Sequence, residues 1–182
     1  MKWGPGVTHT APGTGDLCTN GWIHYYSHPL LAVLLNPIHG DFTRPRLWAV
    51  KVSGKRKHDH GLKSGAANVT TVKEIRLPVV TTAQCIRFAI LCALKVSHSK
   101  EFEQWAKNWL NGEDRSEQSA REAWAAAAAA SKAWAAEAWA ARAAGAARAT
   151  VAEASAAAVA WAAWAASPKP LDLIALAIEA CV

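Results

Sequence analysis

The sequence predicts an α+β fold: a small N-terminal sheet with short helices, followed by an Ala/Trp-rich helical C-terminal half. Three observations carry this expectation. Runs of β-forming residues lie in the first eighty residues, at Trp22–Tyr26, Arg46–Ser53 and Val69–Leu77. Helix-capping signatures follow them. Then, from Ala120 to Ala166, 29 of 47 residues are Ala, the strongest helix former. The implied organisation is a basic α+β domain over residues 1–112, with an Ala/Trp-rich helical region over 113–182 packed on it.

Each element has its own local reason. Residues 1–16 are rich in Gly, Pro and Thr and read as a loop or loosely attached arm. Asn20-Gly21 is a turn signal, and a short strand follows it from Trp22 to Tyr26. Ser27-His28-Pro29 starts a short helix, because Ser caps free N–H groups and Pro is tolerated in a first turn. Leu30 to Leu35 form its apolar body, and Asn36-Pro37 ends it. Arg46–Ser53 alternates, which turns Trp48, Val50 and Val52 inward. Gly54 to Gly65 reads as a basic loop, and Val69–Leu77 as a further strand stopped by Pro78. Thr81-x-x-Gln84 is a reciprocal capping pattern before a helix from about Ala83 to Val96. Ser99 caps the next helix, which places Phe102, Trp105 and Trp109 on one stripe and closes at Asn111-Gly112. Asp114-x-x-Glu117 opens the Ala tract. Gly145 either kinks that tract or turns it back as a hairpin. Pro168 and Pro170 end it, and Leu171–Val182 forms a last apolar helix.

Charge is uneven. Residues 1–112 hold 14 Lys/Arg against 6 Asp/Glu, and residues 113–182 hold 6 against 8. The basic part is suited to a polyanion or an acidic protein surface. The N-terminus carries no apolar signal region. The four Cys are scattered without a short paired spacing, which reads as reduced thiols of a cytoplasmic protein. The Ala tract is long enough to span a membrane but is punctuated by Arg and Glu, so no membrane association is expected. No phosphate-binding Gly-rich loop, dinucleotide fingerprint, nucleophile elbow, zinc-protease helix or Cys-x-x-Cys is present, which leans away from an enzyme. No cofactor and no metal are expected.

Three groups of residues could carry function. Lys51, Lys55, Arg56, Lys57 and Lys63 form the densest basic stretch and could neutralise phosphates or meet a partner. No aromatic residue is interleaved, so base stacking is not suggested. A solvated hairpin loop is the plainer account of the same stretch. His58-Asp59-His60 has a fragment of metal-ligand character, but no third ligand can be named, and a surface loop explains it as well. Five Trp of the Ala tract, Trp124, Trp134, Trp139, Trp161 and Trp164, fall on about half the circumference of an ideal helix. Large rings among small neighbours suit helix packing, or docking on a partner or a second copy as a homodimer.

Two resemblances follow from these residues. The turn Cys18, Asn20, Gly21, Trp22, the strand from Trp48 to Gly54-Lys55, and the later strand with Glu74, Ile75 and Leu77 resemble a small family of uncharacterised phage and prophage proteins. Many of these also end in Ala-rich helical tails. The likeness covers about residues 17–80 and implies phage origin. An aromatic strand leading into a small helix, followed by a strand carrying Glu, is similar to the core of ADP-ribosyltransferase-like folds. That likeness implies a nicotinamide pocket beside His24 or Tyr25, with Glu74 as catalytic acid. The leading functional expectation is a phage-encoded accessory protein that binds a host protein complex, with a complex containing nucleic acid as one form. Its specific form is an inhibitor of host defence such as an anti-CRISPR. The alternatives are an ADP-ribosyltransferase-like enzyme modifying a host target, and a nucleic-acid-binding protein.

Overall fold

The computed structural model describes residues 2–36, 40, 42–59, 61–130 and 152–182, with the side chains of 124–130 and 152–155 outside that description. The fold is α+β, and the chain divides into two units. One comprises residues 1–33 and 42–79, the other residues 34–41 and 80–182. The helices between residues 80 and 112 therefore group with the C-terminal helices, where the sequence suggested a division at 112/113. The physical reason is burial. The helix over 82–94 hides eight apolar side chains in the nine positions from Cys85 to Ala93, broken only by Arg87, a pattern that requires helical neighbours on several sides.

The first unit is an antiparallel sheet built on one strand. β1 (Thr8–Thr10), β2 (Ile23–Tyr25), β3 (Leu47–His58) and β4 (Ser64–Ile75) are its strands, and α1 (Pro29–Leu34) is its helix. β4 is central: β3 lines one edge along its whole length, while β1 and β2 share the other edge in succession. β1 lies inside the segment expected to be a loose arm. Its strand character comes from tertiary pairing, Thr8 opposite Thr70 and Thr10 opposite Asn68. The arm is tied further by hydrogen bonds from Gly6 N–H to the Thr71 carbonyl (2.8 Å) and from Ala11 N–H to the Ala67 carbonyl (2.7 Å). The buried Thr71 hydroxyl donates to the carbonyls of Gly4 and Val7, so no polar group there is left unmatched.

The expected basic loop over Gly54–Gly65 is instead the continuation of β3 through His58, a five-residue turn, and the start of β4 at Ser64. Leu62 N–H donates to the Asp59 carbonyl, and Asp59 Oδ1 accepts the Lys63 N–H at 2.6 Å. The carboxylate thus replaces a ladder bond and closes the hairpin.

The second unit is helical: α2 (Thr82–Leu94), α3 (Lys100–Asn111), α4 (Glu117–Ala130), α5 (Ala152–Ala166) and α6 (Leu173–Cys181). Thr81 and Gln84 form the reciprocal cap of α2, and Ser99 accepts the Phe102 N–H at the start of α3. Gly112 ends α3 in the left-handed conformation. α4 starts two residues later than its first acidic residue suggested. Ser116 Oγ accepts the Ser119 N–H there, and Asp114 instead holds the Ser116 N–H at 2.8 Å. α2 packs against α5 and α6, and α3 against α4. Gln84 Nε2 donates to the Cys181 carbonyl at 3.0 Å, joining the start of α2 to the end of α6. Leu35, Phe88, Ile90, Phe102 and Leu173 are among the large fully buried side chains of this unit, each worth about 1.5–3 kcal/mol of burial.

Candidate functional site: a polar, cationic sheet face

Cross-strand partners share a face of the sheet, so the register sorts every side chain of the first unit. One face is covered from within the unit. Val50 and Val52 lie there opposite Thr71 and Val69. His24 lies there opposite Gly65, with its ring bonded to the Leu17 carbonyl. A Cβ on Gly65 would stand 2.8 Å from both Leu17 Cδ1 and Trp22 Cβ, so glycine is what lets this loop lie flat on the strand.

The opposite face is polar. Its rows run Lys51–Thr70–Thr8, then Ser53–Asn68–Thr10, with Lys73 opposite Ala49 one row above and Arg56 opposite Ala66 one row below. Thr8, Thr10, Lys51, Ser53, Arg56 and Lys73 are exposed, and Asn68 and Thr70 are half-buried between them. The Thr8 and Thr70 hydroxyls are 2.8 Å apart. Asp and Glu occupy none of these paired positions. Lys51 and Lys73 make no ion pair among the described residues.

A bulge at Gly54 decides which cations reach this face. Ser53 pairs with Asn68, but Arg56 pairs with Ala66, so Gly54 and Lys55 together oppose Ala67. Gly54 has φ +74°, and a Cβ there would stand 2.8 Å from Asn68 Nδ2. Without the extra residue, alternation from Lys51 and Ser53 would bring Lys55 and Lys57 onto the polar face and send Arg56 to the covered one. With it, Arg56 is delivered to the polar face. Lys55 and Lys57 are turned to the covered side, where Lys57 Nζ donates to the Gly15 carbonyl (3.1 Å) and pairs with Asp16 (3.6 Å).

The other basic residue of the stretch behaves differently. Lys63 is 8% exposed and sits in the turn beside Asp59, so it is not part of an open cationic surface. Burial raises the Asp59 carboxyl above its ordinary range, against the lowering effect of the Lys63 N–H and of the Lys63 and His58 charges. Burial, reinforced by the Asp59 charge, also raises the Tyr26 phenol. His60 lies outside the described residues. Among those described, no group of three His, Cys, Asp or Glu is placed to hold a metal ion.

The residues nominated by likeness to ADP-ribosyltransferases are not brought together. His24 and Tyr25 pair with Gly65 and Ser64, whereas Glu74 pairs with Trp48 nine residues further along β4, a separation of about 30 Å. Glu74 is engaged by Arg46, whose Nε donates to Oε1 at 2.9 Å, and this bond holds the carboxyl below its usual range. The same guanidinium lies 5.0 Å over the Trp48 ring.

Of the five Trp, Trp134 and Trp139 lie outside the described residues, and Trp124 is described only as part of the α4 backbone. Trp164 is half-buried and Trp161 is 41% exposed. Among the described side chains of α5, the buried ones are Ala156, Ala157, Val159, Ala160, Ala162 and Ala163. Small side chains, rather than indoles, therefore make the packed surface of this helix.

Compared with protein-family models, with curated proteins and with solved structures, the chain matches none. No helix among the described residues is long and apolar enough to cross a membrane.

The polar face was partly hidden in the sequence. Lys51 and Arg56 belong to the recognisable basic stretch, whereas Thr8, Thr10, Asn68, Thr70 and Lys73 join them only through the register of β4. The one local signal was Gly54, whose place between two alternating runs marks a bulge as readily as a loop.

Proposed function

We propose that the protein is a binding module for a polyanion of the nucleic-acid class, and that the polar face of the sheet is its contact surface. The observation that carries this reading is the row arrangement: Lys51 and Arg56 on β3 and Lys73 on the adjoining β4 share one face, flanked by hydroxyl and amide groups, with no carboxylate among them. Lys and Arg neutralise phosphates, and Ser, Thr and Asn supply the neutral hydrogen bonds that orient a backbone. An ion pair inside the face would have argued for a structural role. Among the described residues, the pairs near β3 and β4 are Arg46–Glu74 and Lys57–Asp16, both placed on the other side by strand alternation. The resemblance to phage proteins gives the reading a setting, a host complex that contains nucleic acid, with inhibition of host defence as the specific role.

The test is binding to a mixed nucleic-acid pool at rising salt. Binding of the wild type is expected to weaken steeply, and the Lys51→Glu/Arg56→Glu double variant to lose at least about tenfold, or about 1.4 kcal/mol. Affinity indifferent to salt and to this charge reversal would remove the proposal.

A second reading rests on Trp161, the more exposed of the two indoles of α5 at 41%. An exposed Trp is suited to anchoring a protein contact, here a second copy of the chain. Sedimentation velocity should then find a dimer for the wild type and a monomer for Trp161→Ala. A monomeric wild type rejects the homodimer.

A further inference from the structure

We infer that the ligand of this face is the phosphate backbone of a DNA duplex, held by Lys73, Lys51 and Arg56 alone. This inference rests on the polyanion reading above and narrows it. Recognition of single strands relies on aromatic side chains that stack on splayed bases. The rows of Thr8, Thr10, Lys51 and Ser53 with their β4 partners hold no ring; Tyr25 and His58 join this face only at its far end, opposite Ser64, where Tyr25 is half-buried. Trp48 stands opposite Glu74 with the Arg46 guanidinium over its ring, so it is already engaged. What remains are groups that bind phosphate and sugar, and these find their densest target in a duplex, where charge recurs about every 1.7 Å of axis.

The geometry agrees with a backbone track. Same-face residues of a strand repeat about every 7 Å, the order of separation of successive phosphates on a nucleic-acid strand. Lys73, Lys51 and Arg56 lie in the first, second and fourth of four such rows, about 20 Å from end to end. The Gly54 bulge keeps Lys55 and Lys57 out of this line. An acidic peptide added as a new strand along β3 is the competing occupant of a basic edge. Two features oppose it: the bulge interrupts the free edge, and Arg56 reaches back over it to the Val52 carbonyl at 3.4 Å.

The count of three cations sets a number. Titration of the full-length protein with a labelled DNA duplex across a salt series should give a slope of log K against log salt of about −2.7, from about −0.9 per neutralised phosphate. Lys51→Ala, Arg56→Ala and Lys73→Ala should each make the slope shallower by about 0.9. Lys55→Ala and Lys57→Ala should leave it unchanged, although they remove the same formal charge. Tighter binding of one strand alone than of the duplex at equal salt would overturn the inference, as would an effect of Lys55→Ala equal to that of Lys51→Ala. Either result leaves the polyanion reading standing. Failure to bind both duplex and single strand overturns both.

Discussion

Gly54 is the residue on which the cationic face turns. At φ +74° a side chain strains the backbone, and a Cβ would press on Asn68 Nδ2. Gly54→Ala is therefore expected to destabilise the protein by about 1–2 kcal/mol, read as a lower urea midpoint. The same change should weaken nucleic-acid binding, because the position of Arg56 depends on the bulge. Asp59 offers a second test at this scale. Its carboxyl is raised by burial, so the folded state holds the proton more firmly than the unfolded chain. A raised acid contributes stability that is complete below the unfolded value and is lost as pH climbs through the folded one. Asp59→Asn keeps an oxygen for the Lys63 N–H without burying a charge. Denaturation at acidic and neutral pH should show the Asn variant gaining on the wild type as pH rises. A gap that shrinks instead would mean that the charge itself is stabilising.

At the scale of elements, legibility followed the range of the interactions. The caps at Thr81 and Ser99 are set by residues three apart, and both form where expected. The stripe Phe102, Trp105 and Trp109 is buried as its spacing implies. β1 was unreadable because three polar residues in a Gly- and Pro-rich segment carry no period, and Thr8 finds its partner 62 residues away. The end of β3 was read as a loop because Lys55 to His58 are poor strand formers. Pairing with β4 overrides that weak preference. The Ala tract misled in the other direction: rings draw attention, yet Ala156, Ala160 and Ala163 are what α5 buries. Ala160, 0% exposed, should therefore tolerate enlargement badly. Ala160→Leu is expected to cost about 1–3 kcal/mol by overpacking, measured by chemical denaturation.

For the whole molecule, the structural units divide charge more sharply than the two halves of the sequence. Residues 1–33 and 42–79 hold 10 Lys/Arg against 3 Asp/Glu, a net of +7, and the remainder holds 10 against 11, a net of −1. The field of the cationic unit steers an anion toward it before contact. Association rates with a DNA duplex should therefore fall with salt in parallel with affinity. A rate independent of salt would place the entire effect in dissociation.

Each ladder described in the sheet includes β4, the last strand to appear along the chain. β1, β2 and β3 therefore have no hydrogen-bonding mate until Ser64 has been made, and no complete set of them until Ile75. During synthesis the arm, the aromatic turn and the lysine-rich strand must wait on the ribosome as open polymer, and the first unit condenses in a single late event. A nascent chain stalled before Ser64 should be digested by protease throughout, and one stalled after β4 clears the exit tunnel should be protected from Thr8 onward.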